Sequence, residues 1–314
     1  MNNLWPIACG HGKRRWVNHS MFEWTLTSIL ISAAVGSAVG FLSGVFGVGG
    51  GFLLVPILNA ALGIPMSIAV GSTACYTLGP ATTAMLARRP AAGFLQLPLI
   101  LAGGLLAGVW CGTAALSSLK SAATVSLFGK QVPAVDLMVL SSYAVLMTGI
   151  AIMSFVDGLK KVHGPTVRRR GLLSFVPLPP IAVISDLRPS RYSIPLLAWT
   201  GLIVGFLSGF LGMSGGLVLV PAAIYLLGLR VHDATTMTIV IVWLVSLQST
   251  FMHALHSHVE LKLVVALLIC GTIGANIGSQ VGMRLQGRQL KLGFGTLVLV
   301  AAAIVFARLW MLWR

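Results

Sequence analysis

Acidic residues are scarce in this chain. Among its 314 residues only six are Asp or Glu, and only 9% carry a charge, whereas a soluble domain has about 25% charged residues. A folded chain with so few charges could not cover a water-exposed surface. The composition therefore excludes a soluble globular protein.

The positions of the six acids restrict the function as well. All of them fall near the ends of apolar segments: Glu23, Asp136, Asp157, Asp186, Asp233 and Glu260. Sodium sites and proton relays built from carboxylates inside a membrane are therefore not expected. A cationic substrate would also lack a counter-charge, which leaves an anion or a neutral solute.

Catalytic and metal-binding signatures are missing too. The four cysteines (Cys9, Cys75, Cys111 and Cys270) show no CxxC spacing, and no HExxH or Ser-His-Asp set is assembled. We interpret the cysteines as small buried hydrophobes and expect no enzyme, no metal and no cofactor. Three histidines close one apolar segment, and the deepest, His253, is the candidate proton site.

Long apolar runs dominate what is present. The chain is 57% hydrophobic with a mean hydropathy of +0.94, and runs of about twenty residues without alternation predict membrane-spanning helices rather than a barrel. We therefore expect an all-α, polytopic transmembrane bundle of about eight helices. The predicted segments are 22–62, 66–87, 94–119, 135–156, 194–229, 232–255, 261–285 and 290–312.

An internal repeat organises these segments. GFLSGVFGVGGGFLLVP at 40–56 and GFLSGFLGMSGGLVLVP at 205–221 are identical at 11 of 17 positions. The third and seventh segments each carry three glycines at every fourth residue, a pattern typical of close helix packing. We predict two homologous four-segment repeats at 22–157 and 193–314, each with a glycine-broken first helix, a tail at 1–21 and a basic linker at 158–192.

The net charge is +15, and the Lys and Arg residues lie between the apolar runs. This distribution indicates how the chain is oriented in a membrane rather than nucleic-acid binding. Eight crossings with a cytoplasmic N-terminus place most Lys and Arg residues inside. Ten crossings remain an alternative. Eight crossings would make the two repeats parallel, and ten would make them inverted.

Each glycine break predicts part of a binding site. A helix broken at membrane depth exposes backbone amides that attract anions, and two matching breaks indicate a midplane site. The alternative is close helix packing by small residues. The predicted site residues are Ser43, Gly47, Gly49, Gly50 and Gly51 with Ser208, Gly212, Ser214, Gly215 and Gly216.

The polar lining of this site is expected from the second and sixth segments. The candidates are Thr73, Thr77, Thr236, Thr238 and Gln248. Hydrogen bonds within or between helices are the alternative role for each of them.

The duplicated motif, the eight-segment layout and the glycine-rich third segment of each half resemble the sulfite exporter TauE/SafE family. The resemblance covers residue 22 to the C-terminus. It implies a permease in a bacterial-type plasma membrane for sulfite, sulfonates or related anions. The second motif departs from the first, with Met213-Ser214 in place of Val48-Gly49, which makes the two breaks unequal.

These observations together predict export of sulfite or an organosulfonate. The interior-negative potential drives each negative charge outward by about 2.3 kcal/mol per 100 mV, so an exporter needs no coupling ion. The alternatives are a proton-coupled importer that uses His253, an intramembrane enzyme and a scaffold. The expected partners are a small anion, the lipid bilayer and further copies of the chain, without nucleic acid.

Overall fold

The computed structural model describes residues 26–89, 96–120, 124–127, 130–159, 179–183 and 191–313. The predicted tail at 1–21 and most of the predicted linker at 158–192 lie outside this part of the chain. The all-α class is confirmed. The division into tail, repeats and linker stays a prediction.

The helices of the described part are α1 Leu26–Phe46, α2 Gly51–Leu62, α3 Met66–Arg88, α4 Gln96–Lys120, α5 Ala134–Leu159, α6 Ile194–Leu211, α7 Gly216–Tyr225, α8 Val231–Leu255, α9 Leu261–Arg284 and α10 Gly287–Trp313. Two short antiparallel strand pairs lie between helices in the sequence. Strand β1 Thr124–Leu127 pairs with β2 Lys130–Pro133, and β3 Ile181–Val183 pairs with β4 Arg191–Ser193.

The expected number of about eight helices is not confirmed, because each glycine-interrupted segment forms two separate helices. Six of the described helices are long and apolar enough to cross a membrane: α4, α5, α6, α8, α9 and α10. Helix α3 has 23 residues but is rich in Ser, Thr and Gly. It packs between α8 and α9, so the bundle surrounds its most polar helix.

Helices α1 and α3 run in the same direction. The hydroxyl of Tyr76 donates to the carbonyl of Gly36 at 2.7 Å, and Arg88, further along α3, donates to the carbonyl of Gly44 at 2.8 Å. Because both helices advance together, α2 must carry the chain back between them. The first glycine break is therefore a reversal of the chain.

The second half of the chain runs the opposite way. Helix α8 is antiparallel to α3, since Thr77 contacts Ser246 while Arg88 contacts Thr235. Helix α6 is parallel to α8, because its first turns share a cavity with Met237 and its last turn lies beside His253. Helices α1 and α6 therefore run in opposite directions, as inverted units would. The homology of the two units remains a prediction.

The glycine triplets pack helices together, as their spacing indicates. A Cβ added at Gly278 of α9 would lie 3.0 Å from the Cα of Phe41 in α1, and one at Gly108 of α4 would lie 2.7 Å from the Phe206 nitrogen in α6. No side chain fits between these backbones. The pairs α1–α9 and α4–α6 form the closest packing in the bundle.

Candidate functional site

The two glycine breaks meet inside the bundle. A Cβ added at Gly51 would lie 2.8 Å from the carbonyl oxygen of Gly212, and one at Gly216 would collide with the carbonyl of Val48. Residues 47–51 and 212–216 are all buried. The structure thus joins two stretches that are far apart in the sequence into one junction.

Left-handed backbone explains the sequence of each break. Gly47, Gly49 and Gly50 have φ between 71° and 82°, and in the second break Gly215 has φ of 73° and Ser214 has φ of 55°. Glycine adopts such angles without strain. Gly50 and Gly215 are the N-caps of α2 and α7, and no side chain caps either helix. The first-turn amides of both helices consequently have no side-chain acceptor.

Three hydroxyls gather at this junction. The Oγ1 of Thr77 lies 2.7 Å from the Oγ of Ser214 and 2.7 Å from the Oγ of Ser246. Thr77 is near the middle of α3, Ser246 lies just past the middle of α8, and all three residues are fully buried. This hydroxyl cluster (Thr77, Ser214 and Ser246) therefore lies at half the depth of the bundle.

A row of unpartnered polar atoms leads from the cluster to one end of the bundle. Ser249 and His253 follow Ser246 on one face of α8, and Thr73 precedes Thr77 on one face of α3. The Thr73 and Ser249 hydroxyls, the hydroxyl of Ser208 and the Nε2 of His253 have no hydrogen-bond partner within the described chain. Buried polar atoms are normally satisfied by protein or water, so this polar row favours a solvated or ligand-occupied path.

The polar row ends at a histidine pair. His253 is fully buried, and its Nδ1 lies 3.3 Å from the Nδ1 of His258. His256 stacks on His258. In the ranges that the structure describes, no group of three side chains could hold a metal. The proposed proton role of His253 stays a prediction.

Arg88 lies toward the opposite end of the bundle. From Thr77 the same face of α3 continues through the buried Ala81 and Ala84 to Arg88. The Arg88 guanidinium donates to the carbonyls of Gly44 and Val45 and to the hydroxyl of Thr235 at 2.8–3.0 Å. We refer to the two ends of the bundle as the Arg88 end and the His253 end.

The second apolar segment predicted from the sequence ends at residue 87, just before Arg88, and Arg88 was not included among the predicted site residues. One signal was available. When Gly40 is aligned with Gly205, Arg88 corresponds to His253. Because His253 was already the candidate proton site, this correspondence marked Arg88 as a candidate as well.

The remaining predicted residues are divided between the junction and ordinary structural roles. Ser43 is buried beside Gly50. The Thr238 hydroxyl donates to the carbonyl of Ala234 in its own helix, and the Gln248 amide donates to the carbonyl of Leu106 in α4. Thr236 is half-buried and makes no contact with the hydroxyl cluster.

A buried polar junction between two broken helices, enclosed by apolar helices long enough to cross a bilayer, is typical of a multi-pass membrane transporter. Comparison with known proteins agrees. Residues 32–305 match the family described as sulfite exporter TauE/SafE, and the chain belongs to this family.

Two curated relatives are each named a probable membrane transporter protein. They come from Xylella fastidiosa strains Temecula1 and 9a5c, and each is 32% identical over 107 residues. The match covers 34% of this chain and 41% of each relative, so the chain spans about two fifths of their length. No solved structure matches the chain significantly.

Proposed function

We propose that the chain is a permease for small anions and that it exports sulfite or an organosulfonate. The observation that carries this proposal is the junction of two uncapped helix N-termini with the hydroxyl cluster at half depth. Amides, hydroxyls and the positive ends of helix dipoles are all suited to an oxyanion.

An anion fits this site better than a cation. The carboxylates whose surroundings are described lie at helix ends: Asp136 and Asp233 in the first turns of α5 and α8, and Glu260 before α9. None of them contacts the hydroxyl cluster. A cation at half depth would therefore have no carboxylate partner among the described residues, whereas an anion would meet the first-turn amides of two helices.

The direction of the helices bears on the orientation in the membrane. Helix α5 starts beside Met66 at the start of α3 and therefore ends, like α3, at the Arg88 end. Helices α8 and α10 start close together, because an added Cβ at Gly287 would lie 3.7 Å from Val231. The end of α5 and the starts of α6, α8 and α10 thus belong to the Arg88 end.

The positive-inside rule then favours a cytoplasmic Arg88 end. By the order of the helices, thirteen of the 21 Lys and Arg residues belong to it, namely the seven between α5 and α6 and Arg88, Arg89, Arg230, Arg284, Arg288 and Lys291. We propose that the start of α1 is extracytoplasmic. The cytoplasmic N-terminus expected from sequence assumed eight crossings, and the bias reverses with ten helices.

Export follows from the charge of the substrate. An anion that enters at a basic cytoplasmic end is driven outward by about 2.3 kcal/mol per charge for each 100 mV. No coupling ion is needed, in agreement with a hydroxyl cluster that lacks carboxylates. A proton-coupled importer is the second candidate, and the buried His253 at the end of the polar row favours it.

Efflux from proteoliposomes tests the proposal. Vesicles are loaded with sulfite, thiosulfate, methanesulfonate or sulfate, and a potential is imposed without an ion gradient. We expect sulfite or methanesulfonate efflux that increases with the potential. Flux that requires a proton gradient would instead support the importer. Absence of flux for every anion under both conditions would overturn the permease proposal.

A further inference from the structure

We propose that Arg88 is a second anion-binding residue, separate from the hydroxyl cluster, which binds the oxyanion as it enters the path at the Arg88 end. This inference rests on the proposed anion permease. Its ligand class is a small oxyanion with two or more acceptor oxygens, such as sulfite or a sulfonate.

The charge of Arg88 is not neutralised. A guanidinium stays protonated in proteins, and the partners of this one are two carbonyls and a hydroxyl. Both carbonyls lie in the last turn of α1, where the helix dipole supplies only a partial negative charge. The Nε is buried and has no partner within the described residues. A full positive charge with an unused N–H donor is suited to an anion.

The position of Arg88 makes it an entrance residue. Arg88 lies on the same face of α3 as Thr77, eleven residues further on. At about 1.5 Å per residue the two Cα atoms are about 16 Å apart along the helix. One small oxyanion cannot contact both, so Arg88 and the hydroxyl cluster are two successive sites on one path.

At the other end of the path the position equivalent to Arg88 is a histidine. In the alignment of the two motifs Arg88 corresponds to His253 and Gly44 to Gly209. Arg88 donates to the carbonyl of Gly44, and His253 lies beside the backbone of Gly209. The same position thus holds a permanent cation at one end and an imidazole paired with His258 at the other. We expect anions to bind more tightly from the Arg88 end.

Saturation kinetics in sealed vesicles of each orientation test this. Arg88→Gln is compared with Arg89→Gln, the exposed neighbour. We expect Arg88→Gln to raise the KM for sulfite at the Arg88 end roughly tenfold to a hundredfold, the loss typical of a hydrogen bond to a charged group. The KM at the His253 end and that of Arg89→Gln should be unchanged. Arg88→Lys should recover part of the affinity, because lysine keeps the positive charge but lacks the planar, bidentate donors of the guanidinium.

The outcomes separate this inference from the permease proposal. If the wild type transports anions and the KM of Arg88→Gln equals that of Arg89→Gln, the Arg88 site is overturned while the permease stands. If the wild type transports no anion, the Arg88 site is tested instead by the increase in Tm that sulfite causes in the purified protein. Stabilisation that Arg88→Gln removes and Arg89→Gln retains supports the site, and any other pattern contradicts it. Arg88→Lys replaces Arg88→Gln if the latter does not fold.

Discussion

Alanine at Gly216 tests the contact between the two breaks. Gly216 begins α7 and lies outside the left-handed region, so the new side chain causes no backbone strain of its own. Its methyl group would lie 2.7 Å from the Cα of Val48 and closer still to the Val48 carbonyl. Because the obstacle is the backbone of Val48, between α1 and α2, no side-chain rotation can relieve the clash.

The magnitude follows from two opposing effects. Overpacking a buried contact costs about 1–3 kcal/mol, and the helix preference for Ala over Gly returns at most about 1 kcal/mol. We expect the free energy of unfolding to fall by about 1–2 kcal/mol. We also expect transport to be lost, because the added methyl group forces the two breaks apart. Gly103→Ala and Gly149→Ala are matched controls, since an added Cβ there meets nothing within 4 Å.

Thermal unfolding in detergent and potential-driven efflux are the two assays. A net loss of this size lowers Tm by a few degrees, at roughly 2–4 °C per kcal/mol in a chain of comparable size, whereas the controls should match or exceed the wild type. A Gly216→Ala protein that unfolds and transports like Gly103→Ala would refute a tight junction between the breaks.

Three further predictions concern the cluster, the helix pairing and the topology. Ser246→Ala should reduce anion efflux about tenfold with a loss of stability near 1 kcal/mol, whereas Ser141→Ala, an exposed serine bonded within its own helix, should change neither quantity. Tyr76→Phe should lower the free energy of unfolding by about 1–3 kcal/mol, because the buried Gly36 carbonyl loses its 2.7 Å donor; an unchanged denaturation midpoint would contradict the α1–α3 pairing. Cysteines at the exposed Arg89 and Lys262 should react with membrane-impermeant thiol reagents from opposite sides, and labelling of both from one side would rule out ten alternating helices.

Much of the fold was predictable because the lengths of apolar runs limit helix ends. The segments predicted at 66–87, 232–255 and 261–285 correspond to α3, α8 and α9 within one residue at each end. The interruptions also fall where the glycines lie. Left-handed angles favour glycine, so a cluster of glycines in an apolar run locates a break from local chemistry alone.

The reversal at each break was not predictable in the same way. Glycine indicates that the backbone can turn but not how far it turns. The direction of α2 depends on contacts distant in sequence, such as Tyr76 to Gly36 and Arg88 to Gly44. The expectation of eight crossings treated α1 and α2 as one helix, whereas the alternative of ten crossings with inverted repeats separated them. The cytoplasmic N-terminus was derived from eight crossings, and the orientation in the membrane stays a prediction.

The polar lining shows the same limit. A hydroxyl in a helix can donate to a carbonyl one turn back in the same helix, as those of Thr238 and Thr77 both do. The hydroxyl of Thr77 also contacts side chains across the bundle. The two residues belong to similar apolar segments, and only the packing of α3 against α8 separates them. Arg88 was missed for a related reason, because an arginine at the end of an apolar run ordinarily lies at the interface with water.

The departure between the two motifs explains why only the second break contributes a hydroxyl to the cluster. Gly49 and Ser214 occupy equivalent positions and face each other, and a Cβ added at Gly49 would lie 3.6 Å from that of Ser214 and 2.6 Å from the Cγ1 of Val242. Val242 of α8 therefore leaves no room for a side chain at Gly49, whereas the Ser214 side chain lies at an ordinary contact distance. Ser214 supplies the hydroxyl that contacts Thr77. The inequality noticed in the sequence thus follows from the packing of α8 against the first break, and it leaves a hydroxyl at this position on the second break alone.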